Sequence, residues 1–241
     1  MKRRCFHVVL AAMSLLVFVA AARAEDAPAH DAVKPVPRDG NWTKRHESIN
    51  ARVAKGNVDL VFVGDSITQG WEGAGRKVWE EYYGKRNAAN LGIGGDRTQH
   101  VLWRLDNGNF NDISPKLAVV MIGTNNSGSN TPREIADGVT AIVKSIQAKS
   151  PSTKILLLAI FPRGASDKDA RREVNSKTNK LVAKLDDGKN VHYLDIGASF
   201  LNDDGQLTRE IMPDLLHLSD KGYRLWAEAI EPRVKQLLGE N

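Results

Sequence analysis

Four short blocks concentrate the reactive side chains of this sequence: Gly64-Asp65-Ser66-Ile67-Thr68, Gly92-Ile93-Gly94-Gly95-Asp96, Gly123-Thr124-Asn125-Asn126 and Pro213-Asp214-Leu215-Leu216-His217. Between them they supply a hydroxyl, glycine amides, a side-chain amide, a carboxylate and an imidazole. Those are the parts needed for acyl transfer through a serine nucleophile. A serine hydroxyl attacks poorly until a base takes its proton, and an imidazole is the side chain suited to that near neutral pH. His217 is the candidate base for Ser66, and Asp214, three residues earlier, is the candidate to hold its other ring nitrogen. The attacked carbonyl becomes an oxyanion, for which the Ser66 and Gly95 backbone N–H groups and the Asn125 side-chain amide are candidate donors.

Such residues must be held by a scaffold, and the pattern between the blocks describes one. Short apolar runs recur at Val58–Val63, Leu117–Ile122 and Ile155–Ile160, with a weaker pair at Ala88–Leu91 and Val191–Leu194. Near-continuous apolar strands are what a parallel sheet buried on both faces requires. Between them lie helical periods. Ile135, Val139, Ile142, Val143 and Ile146 form one stripe, started by Thr131 as cap and Pro132 at the first helical position. Further helices are expected over Trp42–Lys55, Arg76–Lys85, Thr98–Asp106, Asp169–Leu185 and Ser219–Leu238. Five strands alternating with helices make a doubly wound α/β domain, whose function gathers in loops beyond the carboxyl ends of the strands. Three of the four blocks follow an expected strand, and the last precedes the final helix.

The blocks together resemble the SGNH (GDSL) hydrolase superfamily, and most closely the catalytic subunits of intracellular platelet-activating-factor acetylhydrolases. The resemblance includes Asn90–Asp96, His100–Leu105, Gly123–Asn126, Pro162-Arg163-Gly164 and Leu216-His217-Leu218, and it runs from about Val58 to Leu238. It implies a three-layer α/β/α flavodoxin-like sandwich with a five-stranded parallel sheet, and no metal or organic cofactor. It also implies Ser66 as nucleophile, an Asp214–His217 pair completing the triad, and an oxyanion hole of Ser66, Gly95 and Asn125. The expected activity is hydrolysis of short-chain esters, acetyl above all. Longer-chain acylhydrolysis, of the lysophospholipase or thioesterase kind, is the rival within enzymes. A non-catalytic carbohydrate-binding protein on the same fold is the rival outside them.

Other readings of the same residues are weaker. Ser66 alone would pass for a helix cap, and only the company of the other blocks makes it a nucleophile. Asp65 reads as a turn residue. The Gly92 block fails the dinucleotide fingerprint because position 97 is Arg, and the nucleophile elbow G-x-S-x-G does not occur around Ser66. His100 with Trp103, and Trp71 with Trp79, read as core, and the scattered histidines do not form a metal motif.

The chain has 241 residues, and its start reads as a secretory signal over residues 1–24: a basic Met1–Arg4, an apolar run from Val8 to Ala22, and Ala22-Arg23-Ala24 as a cleavage pattern. The remaining 217 residues suit one domain, expected at 41–241 behind a flexible Ala- and Pro-rich segment at 25–40. Removing Lys2, Arg3, Arg4 and Arg23 takes the 34 basic residues to 30 against 29 acidic ones, so the net +5 falls to +1. That near-neutral balance argues against a nucleic-acid partner. The only cysteine, Cys5, lies in the signal, which excludes thiol chemistry and disulfides from the rest. The expected protein is therefore exported to the periplasm or beyond, without stable membrane insertion, and meets a small-molecule or carbohydrate ester.

Overall fold

The computed structural model describes residues 30–240. The expected signal, residues 1–24, lies outside the described residues. Five strands form one sheet: β1 (Leu60–Gly64), β2 (Ala88–Gly92), β3 (Leu117–Met121), β4 (Lys154–Leu158) and β5 (Val191–Leu194). Their order is β2-β1-β3-β4-β5 and every pairing is parallel. Alternate strand residues point to opposite faces, and here both faces are covered. Val61, Val63, Ala118, Val120, Ile155 and Leu157 enter one core. Leu60, Phe62, Leu117, Val119, Leu156 and Leu158 enter the other. This is why the strand sequences are apolar throughout instead of alternating.

Helices α1 (Asn41–Val53), α4 (Thr98–Arg104), α5 (Pro132–Lys149) and α6 (Ala170–Val182) contribute to the first core. Helices α3 (Arg76–Tyr82) and α7 (Asp220–Leu238) close the second. The short α2 (Ser66–Gln69) sits at the end of β1. The result is the three-layer α/β/α arrangement expected, in the flavodoxin-like strand order. In that order the crossover leaving β1, through α3, and the one leaving β3, through α5, lie on opposite faces of the sheet, and the crevice between β1 and β3 is the topological switch point, the place where such folds bind ligands.

Helix boundaries follow local chemistry. Thr131 Oγ1 accepts from the Glu134 N–H at 3.3 Å, and Glu134 Oε2 accepts from the Thr131 N–H at 2.8 Å, a reciprocal cap that starts α5. Asp169 caps α6 through the Arg171 and Arg172 N–H groups, and Ser219 caps α7 through that of Gly222. The helix expected over Thr98–Asp106 ends instead at Arg104. The chain then kinks over Leu105–Asn109, where Asn107 and Gly108 leave helical backbone geometry and Gly108 takes a φ of 118°.

The flexible segment expected at 25–40 is packed where it is described. Ala32 is fully buried, its carbonyl accepts from the Thr98 hydroxyl at 2.7 Å, and the Val36 N–H donates to the Gln99 carbonyl at 3.3 Å. Composition suggested a loose tail, but partners more than sixty residues away in sequence order it. Among the described residues no helix is long and apolar enough to cross a membrane.

Candidate active site

The site is assembled where β1, β2 and β3 end. After Gly64 the chain turns at Asp65 into α2. Asp65 Oδ1 accepts from the Ile67 N–H at 3.0 Å, which caps the helix and makes Ser66 its first residue. An N–H at that position has no carbonyl one turn earlier within the helix to bind. Asp65 is fully buried and its second oxygen, Oδ2, has no hydrogen-bond partner among the described residues. Burial pushes its carboxyl up to about 7, with the Ile67 N–H opposing. Its role is that of the turn residue expected.

The second block follows β2. A side chain on Gly92 would strike the backbone at Gln69 of α2, so glycine is what lets the loop lie against that helix. Gln69 Oε1 then accepts from the Gly94 N–H at 2.7 Å. Gly95 takes a φ of 77°, which turns the loop back, and a Cβ placed on Gly94 would stand 3.8 Å from that of Ser66. The glycine loop is thus seated beside the serine.

Asp96 anchors this loop from below. It is wholly buried and accepts from Trp42 Nε1 at 2.6 Å, Arg104 Nε at 2.8 Å and, at 3.4 Å, Arg38 Nη1. Arg104, 1% exposed, also donates to the Gly64 carbonyl at 3.3 Å and to Asn109 Oδ1. Burial pushes the Asp96 carboxyl up and the Arg104 guanidinium down, and the charge of each opposes the shift of the other. Arg38 Nη1 closes the loop from outside by donating to the Gly94 carbonyl at 2.8 Å.

The third block hangs on the same anchor. Asn125 Nδ2 donates to the Asp96 carbonyl at 2.9 Å. An amide nitrogen carries two hydrogens, so one is fixed by the loop and the other is left for a ligand. Asn126, fully buried, accepts from the Thr98 N–H at 3.0 Å and donates to Gln99 and Asn130, which fixes the turn after β3.

The fourth block lies on the loop before α7. Asp214 Oδ1 accepts from the N–H groups of Leu216 at 3.0 Å and His217 at 2.7 Å. Leu215, between them, has a φ of 63°, unusual for a branched side chain and worth on the order of 1–3 kcal/mol of local strain. It is held by its own N–H on the Met212 carbonyl and by the Gly164 N–H on its carbonyl, at 2.8 and 2.9 Å. The turn brings Asp214 Oδ2 to 2.6 Å from His217 Nδ1, and His217 Nε2 to 2.9 Å from Ser66 Oγ. Burial would raise the Asp214 carboxyl, but its bonds to the His217 N–H and ring outweigh that and hold it below the usual range. With a carboxylate accepting at Nδ1, that nitrogen carries the hydrogen and Nε2 is left to accept from the serine hydroxyl.

Ser66, His217 and Asp214 therefore form one hydrogen-bonded chain; the glycine loop that carries Gly95 lies beside its serine end through Gly94, and Asn125 is tied to that loop. Sequence reasoning missed the support: Asp96, Arg104, Trp42, Arg38 and Gln69. Arg163 is half-buried and donates to Thr124 Oγ1 at 3.1 Å, bracing the residue next to Asn125. His100 is the satisfied core histidine expected: its Nδ1 accepts from the Arg97 N–H at 3.0 Å, and burial pushes its pKa down to about 4. Trp71 and Trp79 belong to the second core.

The chain belongs to the GDSL-like lipase/acylhydrolase family, whose model matches residues 62–225. It is 38% identical over 210 residues to the platelet-activating factor acetylhydrolase IB subunit alpha2 of Rattus norvegicus, covering 87% of this chain and 90% of the relative. Among solved structures, a GDSL-like lipase from Bacteroides thetaiotaomicron superposes with a TM-score of 0.65 at 20% identity, over 80% of this chain and 97% of the other. An acetylxylan esterase from Geobacillus stearothermophilus gives 0.59 at 18% identity, over 76% and 94%. These likenesses establish the same fold.

Proposed function

We propose that this acylhydrolase is an exported serine esterase that removes acetyl or another short acyl group from oxygen, with Ser66 as nucleophile. The observation that carries the reading is the Ser66–His217–Asp214 chain, with contacts of 2.9 and 2.6 Å. Ser66 Oγ attacks the ester carbonyl carbon as its proton passes to His217 Nε2, while Asp214 steadies the imidazolium. The negative charge on the carbonyl oxygen is met by the Ser66 and Gly95 N–H groups and the free Asn125 amide hydrogen. Collapse of the intermediate expels the alcohol, which takes the proton back from His217. Water then repeats the sequence on the acyl-serine and releases the acid.

The acyl preference is supported by the curated relatives, which are named acetylhydrolases, and by the fold-level likeness to an acetylxylan esterase. The carbohydrate as alcohol part, and export itself, are supported by the signal-like residues 1–24. The Asp214 and His217 side chains are 56% and 44% exposed, so a bulky alcohol can approach from solvent.

A fluorophosphonate probe tests the nucleophile. It is expected to label Ser66, and Ser66→Ala is expected to abolish both labelling and turnover of p-nitrophenyl acetate. Undiminished turnover in that variant overturns the assignment. Rates on p-nitrophenyl esters of rising chain length test the acyl preference, and a maximum at long chains would favour the lipid-like alternative. Release of acetate from acetylated xylan, set against release from acetylated phospholipid analogues, tests the alcohol part.

A further inference from the structure

Gly94 is shared between the nucleophile and an open cavity. A Cβ placed on it would stand 3.8 Å from that of Ser66, and its carbonyl accepts from Arg38 Nη1 at 2.8 Å. The same glycine lines a cavity of about 290 Å³ whose wall includes Arg38, Asp39, Asn41, Arg45 and Gln69. Gln69 is a second link to the serine. It follows Ser66 by three positions in α2, which makes the two neighbours on that helix, and its Oε1 accepts from the Gly94 N–H at 2.7 Å. The cavity therefore begins at residues that pack beside the nucleophile.

The wall is polar and wet. Asp39 and Asn41 are exposed, and the Arg38 side chain is 36% exposed. The two guanidiniums are held by acids: Arg45 donates to both Glu72 oxygens, at 2.9 and 2.5 Å, and Arg38 lies 3.4 Å from Asp96. Asp39 adds a carboxylate that accepts, and Asn41 an amide that both donates and accepts. A hydrocarbon laid over these groups would take their water and return no hydrogen bond, which is unfavourable. Hydroxyl groups return what the water gave, since each donates and accepts.

The groove continues past Arg45. Arg45 Nε and Nη2 reach the Gly92 and Asn90 carbonyls, each at 3.3 Å, on β2, the edge strand of the sheet. A second cavity, of about 260 Å³, shares Arg45 with the first and runs against Ala88, Ala89 and Asn90 of that strand. The half-buried Trp79 lines it and offers apolar surface to C–H groups. Each cavity is close to the lower end of the small-molecule range, about 300 Å³, and the pair gives room for more than one ring. We infer that this groove is the subsite for the alcohol part of the ester, and that this part is a neutral polyhydroxylated chain of two or more rings, read next to the serine by Asp39 and Asn41. The inference rests on the esterase reading of Ser66 and adds to it where the alcohol lies and what it is.

Two measurements test it. In the inactive Ser66→Ala protein, labelled with ¹⁵N, unacetylated xylotriose is expected to shift the amides of Asp39, Asn41 and Gly94. In the Ser66-containing protein the exposed pair is removed as Asp39→Ala/Asn41→Ala. The kcat/KM of that variant on acetylated xylotriose, divided by its kcat/KM on p-nitrophenyl acetate, is expected to fall at least tenfold, with the loss in KM. Three results overturn the inference: no shifts at those amides with millimolar xylotriose, an unchanged ratio because both esters are affected equally or not at all, or an acetylated phospholipid analogue preferred to acetylated xylotriose. Failure of the esterase reading shows separately, as p-nitrophenyl acetate turnover that survives Ser66→Ala whatever the sugar does at Asp39 and Asn41.

Discussion

The two halves of the site occupy opposite environments. The half that would receive the developing charge rests on a buried lattice: Asp96 and Arg104, 0% and 1% exposed, tie the end of β1, the glycine loop and Asn125 together. The acid–base half is a short surface turn whose His217 and Asp214 side chains are 44% and 56% exposed. The contrast matches what each half must do in the proposed mechanism. Donors to an oxyanion are useful only if already aimed, because reorganising them during the reaction costs the stabilisation they provide. A base that serves an incoming alcohol in one step and water in the next must meet solvent. The fold therefore places its most costly burial under the proposed donors and leaves the proposed proton carrier on a turn.

That contrast can be broken one half at a time. His217→Ala should lower turnover on the order of 10⁶-fold, yet shift the unfolding free energy by only about 0.5 kcal/mol, as surface changes do. Esterase assays beside urea titrations check both. Arg104→Met should do the reverse in stability. It strands the Asp96 carboxylate and should cost about 3–5 kcal/mol, read as a lower urea midpoint. A stability loss from His217→Ala as large as that from Arg104→Met would erase the distinction between the halves.

Asp65 sharpens the comparison through pH. The unfolded carboxyl ionises near 3.9, whereas the folded one does so at about 7. Between those values the unfolded state has released a proton that the folded state keeps. Stability should therefore fall as pH rises through that window, by about 4 kcal/mol in all, and level off above it. Asp65→Asn should flatten that slope, as measured by urea midpoints from pH 4 to 8. The smallest effect expected is for Asn125→Ala, about 10²–10³ in kcat with little change in KM, because it removes one donor that acts mainly in the transition state.

Much of this was legible in the sequence because it is local. Apolar runs marked the strands, since burial on both faces leaves no polar alternation to hide them. Thr131, Pro132 and Glu134 marked the start of α5 through atoms within one turn. The Ser66, Asp214 and His217 blocks were marked by residue type and not by nearness in sequence, and the fold joins those three side chains in one hydrogen-bonded chain. The anchor was not legible, since Trp42 finds Asp96 across 54 positions and nothing in either residue's neighbourhood announces the other. Nor was the order of residues 30–40, whose Ala and Pro content is typical of loose chain and whose partners, Gly94, Thr98 and Gln99, lie far along it.

The run from His30 to Gly40 has a consequence for how far the front of the protein can be trimmed. It is a strap laid across the outside of α4 and buckled by Arg38 onto the glycine turn. A protease that nicked just before His30 would leave the buckle fastened. One that cut ten residues later would strip the Gly94 carbonyl and the Thr98 hydroxyl of their clasps together, loosening the seat of the reacting carbonyl without touching a reacting group. Trimming of this polypeptide from its front thus has a hard inner limit, set by the Arg38 guanidinium and the Ala32 carbonyl.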